Sequence, residues 1–190
     1  VNQQQLDACV RKLSKLEGAE KLSAVLLDLN DQAAAVKLMT GFDAIVSALP
    51  QSVNVLGIRA AVRAGVPLID LAYFDYLQRL DLKQEVAVAG GLVIPGCGVE
   101  PGLTEIMARY LAEKLDRTDE LHIKCGGIPE KPTPPLGYKI VFGGRLMPWK
   151  DGDAIVVENG RLATVPRYSG IESVVFPGVG ECEAWHEQFM

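Results

Sequence analysis

Apolar positions in residues 1–115 fall into short continuous runs that alternate with helical repeats. The continuous runs, typical of strands buried on both faces, are 22–29, 43–50, 66–71 and 91–98. Apolar residues at three- and four-residue steps predict helices over 2–16, 31–41, 54–65, 75–90 and 102–115. Short apolar strands joined by helices predict an α/β fold with a parallel sheet and helices on both of its faces.

The pattern changes after residue 118. Residues 119–127 alternate between polar and apolar side chains, and 137–142, 153–165 and 172–176 also favour strands. Asn159 and Gly160 separate two apolar runs, which is a strong hairpin signal. We therefore expect two domains, 1–118 and 119–190, the second an α+β domain with a mostly antiparallel or mixed sheet. No final helix is evident, so the second domain is expected to be incomplete.

Composition and charge narrow the classes of function. The chain has 190 residues, a formal net charge of −5 and 48% hydrophobic residues. An acidic balance without a basic stripe argues against a nucleic-acid partner. No apolar run reaches the roughly 18 residues that a membrane span requires. The polar beginning is unlike a signal peptide, so we expect a cytoplasmic protein without a membrane partner.

The cysteines and histidines do not predict a metal site. The four cysteines follow no Cys-x-x-Cys spacing, and only His122 and His186 could join them as ligands. We expect reduced thiols and no metal. The cysteines are Cys9, Cys97, Cys125 and Cys182.

A glycine-rich phosphate loop is missing. A parallel nucleotide-binding sheet usually opens with a strand, a G-x-G-x-x-G turn and a helix, and this sequence has no such motif. The glycines of 96–98 are followed by Pro101 and Gly102 and favour a tight turn that brings the backbone close to a ligand. The pattern thus predicts a Rossmann-like sheet whose first strand, first helix and second strand are absent from this sequence.

Several longer stretches resemble a known family, the saccharopine dehydrogenase-like oxidoreductases, and within it most closely the lysine 6-dehydrogenases. The proline-rich segment 126–142 and the Glu-Ala-Trp-His tetrad ending at His186 are the specific parts. The other matching stretches are 43–50, 60–72, 94–108 and 154–166.

The resemblance implies a dinucleotide-binding domain followed by a domain that builds the substrate pocket and a homodimer interface. It also implies oxidation of the amine of an amino acid to an imine, with hydride passed to NAD or NADP. Members of the family hold the pyrophosphate with the glycine turn that this sequence lacks, so the 190 residues alone are expected to bind cofactor poorly.

Candidate cofactor residues follow from the sheet, because ligands of such sheets bind beyond the carboxyl ends of the strands. They are Asp28, Leu29, Ala48, Leu49, Pro50, Asp70, Leu71, Cys97 and Gly98. For Asp28 and Asp70 a role as helix cap or turn residue remains an equal alternative. Glu100 is a candidate polar partner of the substrate.

Oxidation of an amine requires a base, and histidine titrates near neutral pH. His186 is the first candidate for the base or for a polar contact with substrate. If its segment is helical, Glu183 lies on the same face. The alternative is a solvated surface helix, to which Glu181 and Glu187 would also belong.

The proline-rich segment delivers Tyr138 and Lys139 onto a predicted strand, where alternation allows at most one of them to face a pocket. We include Tyr138 among the catalytic candidates. Proline stiffness favours a strut beside the cofactor cleft, and a plain interdomain linker is the alternative. Arg145 and Arg167 are candidate forks for the substrate carboxylate, or ordinary surface charges.

The leading interpretation is an NAD(P)-dependent dehydrogenase that acts on an amino acid of the lysine or saccharopine type. Two alternatives stay open: the same fold acting on a carboxylated polyamine or opine-like amine, and a truncated, non-catalytic binding or dimerisation module. The enzyme interpretation requires Ala48, Asp70 and Cys97 to share a hollow with His186. NAD and NADP are not distinguished, because the second strand, whose end decides between them, is missing.

Overall fold

The structure is a computed structural model and describes residues 2–50, 52–72, 80–131, 133–134, 137 and 152–187. Five α-helices lie in this part of the chain: α1 (Gln3–Leu13), α2 (Gln32–Met39), α3 (Asn54–Ala64), α4 (Leu80–Val88) and α5 (Leu103–Ala112). A short 3₁₀-helix covers Ala19–Lys21.

Three short parallel strands form the first sheet, in the order β1 (Ile45–Ser47), β2 (Leu68–Asp70) and β3 (Val93–Ile94). Register pairs Ile45 with Leu68 and Leu68 with Val93. Helical connections between neighbouring parallel strands confirm the predicted α/β sheet. The later strands β4 (Ala154–Glu158), β5 (Arg161–Val165), β6 (Glu172–Phe176) and β7 (Gly180–Ala184) form two antiparallel pairs.

The hydrophobic core lies on one face of the parallel sheet. Ile58 and Ala61 of α3, Leu68 of β2 and Leu82 of α4 form a buried cluster. Met39 of α2 and the sheet residues Ile45 and Val93 pack against it. Each strand therefore contributes its core-facing position, and helices α2, α3 and α4 cover that face.

The opposite face of the sheet is open among the described residues, and helices on both faces stay a prediction. Val46, Ile69 and Ile94 are partners in register, and they remain 67%, 37% and 44% exposed. Successive residues of a strand point to opposite faces, so the side chains next to the core positions form an open row. No described helix buries this row.

Two predicted strands are wrong. Residues 22–29 have no strand, and all but Leu27 and Leu29 are exposed. Their apolar run had suggested burial on both faces, but a strand needs a hydrogen-bonded neighbour, and none is present among the described residues. Residues 119–127 likewise run without regular structure despite their alternation.

The hairpin predicted at Asn159 and Gly160 is confirmed. These two residues have φ angles of 53° and 73° and join β4 to β5, with Glu158 paired to Arg161. Positive φ at both central positions is the geometry that matches the twist of antiparallel strands. The strand predicted at 172–176 is also confirmed, as β6.

Candidate functional site

The carboxyl ends of the parallel strands meet along one edge, here called the carboxyl edge. It comprises residues 47–50, 70–72 and 95–102. The amide of Leu71 donates to the carbonyl of Ser47 at 2.9 Å, and the amide of Cys97 donates to the carbonyl of Asp70 at 2.9 Å. The structure thus brings together three of the segments in which the sequence placed cofactor residues.

The first segment of the edge presents Ala48 and Pro50, which are exposed. The carbonyl of Pro50 accepts from the amide of Asn54 at 3.0 Å, which starts α3. Leu49 is half-buried and lies so close to α3 that a Cβ on Gly57 would be 2.9 Å from its Cδ1 atom. Residues 48–50 therefore lie against α3 on one side and are open to solvent on the other.

Asp70 is fully buried and does not face solvent. Its Oδ2 atom accepts from the side-chain amide of Asn54 at 2.9 Å, and its Oδ1 atom accepts from the amide of Ala72 at 3.1 Å. The second bond is a side-chain turn of the kind that aspartate favours. Leu71, the next residue, is 39% exposed on the same edge.

Asp28 and Leu29 lie in a turn. The Oδ1 atom of Asp28 accepts from the backbone and side-chain amides of Asn30, both at 2.9 Å. The carbonyl of Leu29 accepts from the side chain of Gln32 at 2.7 Å. Asp28 therefore serves as a turn residue, and a cofactor contact at this pair stays a prediction.

The turn predicted at the glycines after β3 is present. Gly102 has a φ of 135°, and a Cβ at this position would lie 2.5 Å from the carbonyl oxygen of Gly98. A Cβ on Gly98 would lie 3.0 Å from the carbonyl oxygen of Leu71. Only glycine allows this approach. A stretch of bare backbone consequently lies beside Cys97 at the carboxyl edge.

Two carboxyl groups meet where this turn enters α5. Glu105 accepts from the amide of Gly102 at 2.6 Å and from the hydroxyl of Thr104 at 3.0 Å. The hydroxyl of Thr104 also contacts Glu100 closely. We call Glu100 and Glu105 the acid pair.

The acid pair has opposed titration behaviour. Burial raises the pKa of Glu100, and the nearby charge of Glu105 raises it further, against a hydrogen bond from Thr104. Burial also acts to raise the pKa of Glu105, but hydrogen bonds from the amide of Gly102, its own amide and Thr104 prevail and lower it. Two carboxyl groups with pKa values pushed apart are typical of acid–base sites.

His186 follows β7 in the second region and lies beside the turn at Arg167 and Tyr168. Its Nδ1 atom is 3.2 Å from the hydroxyl of Ser169, and its backbone exchanges hydrogen bonds of 2.9 Å with Tyr168 and Ser169. A Cβ on Gly170 would lie 2.5 Å from its ring. His186 is exposed, as is Glu183.

The expectation of a helix that carries Glu183 and His186 is wrong. Glu183 belongs to β7 and pairs with Ser173 of β6. Antiparallel pairing satisfies the backbone groups that a helix would have satisfied internally. The two side chains therefore do not share a helical face.

Arg167 is mostly buried, with a side chain that is 13% exposed. Its guanidinium pairs with Glu187 at 2.7 Å and lies 4.6 Å from the ring of Tyr168. Tyr168 in turn meets the ring of Trp185 edge-on, at 6.1 Å between centroids. Arg167 is therefore anchored by packing, unlike an ordinary surface charge.

Three candidates, Tyr138, Lys139 and Arg145, lie outside the described residues. The contacts described for the carboxyl edge join its segments to one another, and those described for His186 join it to residues 168–170. The hollow shared by Ala48, Asp70, Cys97 and His186 stays a prediction.

The described residues hold no group of three or more His, Cys, Asp or Glu side chains arranged to bind a metal ion. None of the four cysteines, all of which lie in the described part of the chain, forms a disulfide. Among the described helices, none combines the length and the apolar character that crossing a membrane requires.

Sequence reasoning missed four polar side chains of this edge: Ser47, Asn54, Thr104 and Glu105. Glu105 and Thr104 carried a signal, since a glutamate in the first turn of a helix commonly caps its start. Ser47 and Asn54 carried none, because nothing local distinguishes a buried serine or asparagine from an exposed one.

A model of the saccharopine dehydrogenase NADP binding domain matches residues 2–94. Saccharopine dehydrogenase [NADP(+), L-glutamate-forming] of Schizosaccharomyces pombe is 29% identical over 188 residues, covering 90% of this chain and 41% of that protein. The Saccharomyces cerevisiae enzyme of the same name is 25% identical, covering 90% and 42%. The chain thus spans about two fifths of the length of these relatives.

A further relative and a solved structure are also similar to the chain. Alpha-aminoadipic semialdehyde synthase of Arabidopsis thaliana is 27% identical over 65% of this chain and 12% of its own length. The solved apo structure of saccharopine dehydrogenase (L-Glu forming) from Saccharomyces cerevisiae superposes with a TM-score of 0.53 at 20% identity, over 92% of this chain and 42% of that one. The likeness to the solved structure confirms the fold.

The carboxyl edge fits the cofactor that the matched domain implies. The turn at Gly98 and Gly102 keeps the backbone bare beside the half-buried Cys97. Open backbone at the carboxyl ends of parallel strands is what a polar dinucleotide can use. The prediction of NAD or NADP is thereby supported. The domain match over residues 2–94 and the relatives show that the chain is similar to saccharopine dehydrogenases.

Proposed function

We propose that the complete protein is an NAD(P)-dependent oxidoreductase that oxidises the amine of an amino acid to an imine. The observation that carries this proposal is the acid pair at the carboxyl edge, beside the bare turn at Gly98 and Gly102. The match to an NADP binding domain and the names of the relatives support it.

The carboxyl edge would hold the cofactor, which when bound accepts hydride from the carbon that carries the amine. Ala48, Leu49 and Pro50 line its first segment, Leu71 its second, and Cys97 and Gly98 its third. These six are positions where side chains or backbone are exposed or half-buried. Since ligands of parallel sheets bind beyond the carboxyl ends of the strands, this location supports the assignment.

Glu100 is proposed as the group that takes the proton from the substrate ammonium. An amine must be neutral before its carbon can release hydride, so a base is required. Burial and Glu105 raise the pKa of Glu100, which makes its carboxylate a stronger base than an ordinary glutamate. Thr104 contacts both carboxyl groups and limits how they can be oriented.

The second region is proposed to bind the rest of the substrate and to form the homodimer, with residues 119–190 as its domain. Arg167 would exchange Glu187 for a substrate carboxylate, and His186 and Glu183 would supply polar contacts. Arg145 and Tyr138 complete this proposed set. Exposed apolar side chains on the hairpins, Ile155 and Leu162 among them, support a partner surface.

The relatives' names favour a substrate of the saccharopine type over free lysine. A cytoplasmic location is part of the proposal. The four cysteines support it, because none of them forms a disulfide and thiols persist in reducing compartments.

Two measurements test this function. Titration of the complete protein with NADPH and NADH, followed by nucleotide fluorescence, tests cofactor binding. Assays of the complete protein with saccharopine and with lysine then test the reaction. We expect Glu100→Gln to lower kcat/KM by about 10²–10⁴-fold, the usual contribution of a positioned base.

Glu113→Gln is the matched control, because Glu113 is an exposed carboxylate that caps the end of α5, the helix that follows Glu100, and is paired with Arg109 at 2.6 Å. It should leave kcat/KM unchanged. Equal activity of the Glu100→Gln variant and the wild type would overturn the role of Glu100. Failure of the complete protein to bind either nucleotide would favour the non-catalytic module.

A further inference from the structure

Two buried polar side chains join a helix to the sheet at the carboxyl edge. Asn54 is the first residue of α3 and Asp70 the last residue of β2, and both are 0% exposed. The side-chain amide of Asn54 donates to Asp70 Oδ2 at 2.9 Å. The start of the helix is therefore linked to the end of the strand across the interior.

Asp70 also lies between the segments of the edge. Its Oδ1 atom accepts from the amide of Ala72, and its backbone carbonyl accepts from the amide of Cys97 at 2.9 Å. Its strand partner is Ser47, whose carbonyl accepts from the amide of Leu71. Asp70 thus lies in the second segment, accepts a hydrogen bond from the third and is paired in register with the first.

We propose that Asn54 and Asp70 are a positioning pair that holds the three segments of the carboxyl edge in the arrangement that binds the dinucleotide. The part of this inference that concerns the dinucleotide rests on the proposed function. Neither residue contacts the ligand: both carboxylate oxygens of Asp70 already accept hydrogen bonds from the protein. They act through the backbone of residues 71, 72 and 97.

The energetic cost of burying Asn54 and Asp70 favours a positioning role over a contribution to stability. A buried carboxylate and amide lose their hydration, and an apolar pair of similar size can be as stable. The neighbouring acceptor Asn54 Oδ1 and the hydroxyl of Ser47 are buried without a partner among the described residues.

The test uses one variant that breaks the pair and one that rebuilds it. Asn54→Leu removes the donor and leaves Asp70 without it. The double variant Asn54→Asp/Asp70→Asn reverses the bond: the new amide at 70 donates to the new carboxylate at 54, and its oxygen still accepts from Ala72. Ile58→Val is the control, because Ile58 lies in the core of the same helix, away from the edge.

Hydrogen exchange at the amides of Leu71, Ala72 and Cys97 is the first readout, and the NADPH dissociation constant is the second. We expect Asn54→Leu to accelerate exchange at these amides by about tenfold and to weaken NADPH binding by about tenfold, the effect of losing one buried hydrogen bond. The double variant should restore both. Ile58→Val should lower the midpoint of unfolding. It should leave the NADPH dissociation constant unchanged and should not accelerate exchange at these three amides more than at other amides.

If the pair only stabilises the fold, the amides of Leu71, Ala72 and Cys97 should exchange at the same rate in Asn54→Leu and in Ile58→Val. That result would overturn the proposal. A double variant that folds but leaves these amides unprotected would overturn it as well. If Asn54→Leu does not fold, the test rests on whether these amides are protected from exchange in the double variant. If the wild type binds no nucleotide, the proposed function fails, and exchange still decides whether the pair holds the edge.

Discussion

The parallel region, residues 32–112, and the hairpin region, residues 152–187, are built on different physical terms. Among the described residues, seven of the eight buried hydrophobic side chains lie in the parallel region, and only Ala154 lies in the hairpin region. The hairpin region keeps large apolar side chains exposed, with Leu162 at 79% and Val175 at 73%. Burial therefore organises the first region, while backbone pairing and turn chemistry organise the second.

This difference separates the two sets of candidate site residues. The positioning pair is buried and joins α3 to β2, while the acid pair is half-buried within the turn that enters α5. His186 and Glu183 are exposed, and each lies beside a local turn or in a hairpin. Groups held by buried contacts keep a single geometry at little further cost, which is what acid–base chemistry requires.

The largest expected effect tests the contrast in burial. Leu68→Ala in β2 should lower the free energy of unfolding by about 2–5 kcal/mol, because Leu68 is 1% exposed and a cavity would remain. Leu162→Ala in β5 should stay within about 0.5 kcal/mol of the wild type. Denaturant unfolding measures both. If both variants lost similar free energy of unfolding, the two regions would not differ in how they use burial.

The second prediction concerns glycines with the same backbone freedom but different surroundings. Gly102→Ala places a Cβ 2.5 Å from the carbonyl oxygen of Gly98, while Gly178→Ala, at a φ of 77°, meets nothing within 4 Å. Gly178→Ala should cost about 1–2 kcal/mol, the strain of the left-handed conformation alone. Gly102→Ala should cost more than Gly178→Ala in the same denaturation experiment. The reverse order would show that the turn at the carboxyl edge can relax.

The third prediction concerns charge. Carbon-13 NMR of the carboxyl groups should show that Glu105→Gln lowers the pKa of Glu100, because a charge that raises it is removed. Thr104→Val should raise the pKa of Glu100, because a hydrogen bond that lowers it is lost. Shifts in the same direction would contradict the acid pair.

Salt should separate the two regions in the same NMR titration. Glu172 of the hairpin region is exposed, and a hydrogen bond from Lys124 at 2.7 Å lowers its pKa. Concentrated salt screens exposed pairs, so the pKa of Glu172 should rise towards its ordinary value. The pKa of Glu100, raised first by burial, should change less.

The smallest effect is expected at a surface pair of the parallel region. Arg59 donates to both oxygens of Glu85, at 2.8 and 2.7 Å, and this hydrogen bonding lowers the pKa of Glu85. A lowered pKa stabilises the fold above the unfolded value of 4.5, and the contribution is lost as pH falls through the folded pKa. Glu85→Gln should therefore cost at most about 1 kcal/mol at neutral pH, since the pair is exposed.

That contribution should disappear in strongly acid solution, where Glu85 is protonated in both the folded and the unfolded states. Denaturant unfolding of the variant and the wild type at neutral and at acid pH measures it. A difference that persisted in acid would show that the substitution acts through packing.

Local chemistry was readable from the sequence, and it determined much of the fold. The turn at Asn159 and Gly160, the Asp31 cap of α2 and the glycine turn after β3 need only neighbouring residues, because caps and turns depend on short-range φ angles and hydrogen bonds. Helix and strand alternation likewise predicted the parallel sheet and placed the carboxyl edge.

Only the tertiary structure decided which runs are strands and which polar groups meet. Residues 22–29 are as apolar as β1, yet β1 has a neighbour and they do not. Asn54 and Asp70 are 16 residues apart in sequence and still form a buried hydrogen bond. Such a pairing depends on which segments burial brings together, and no local pattern of side chains encodes it.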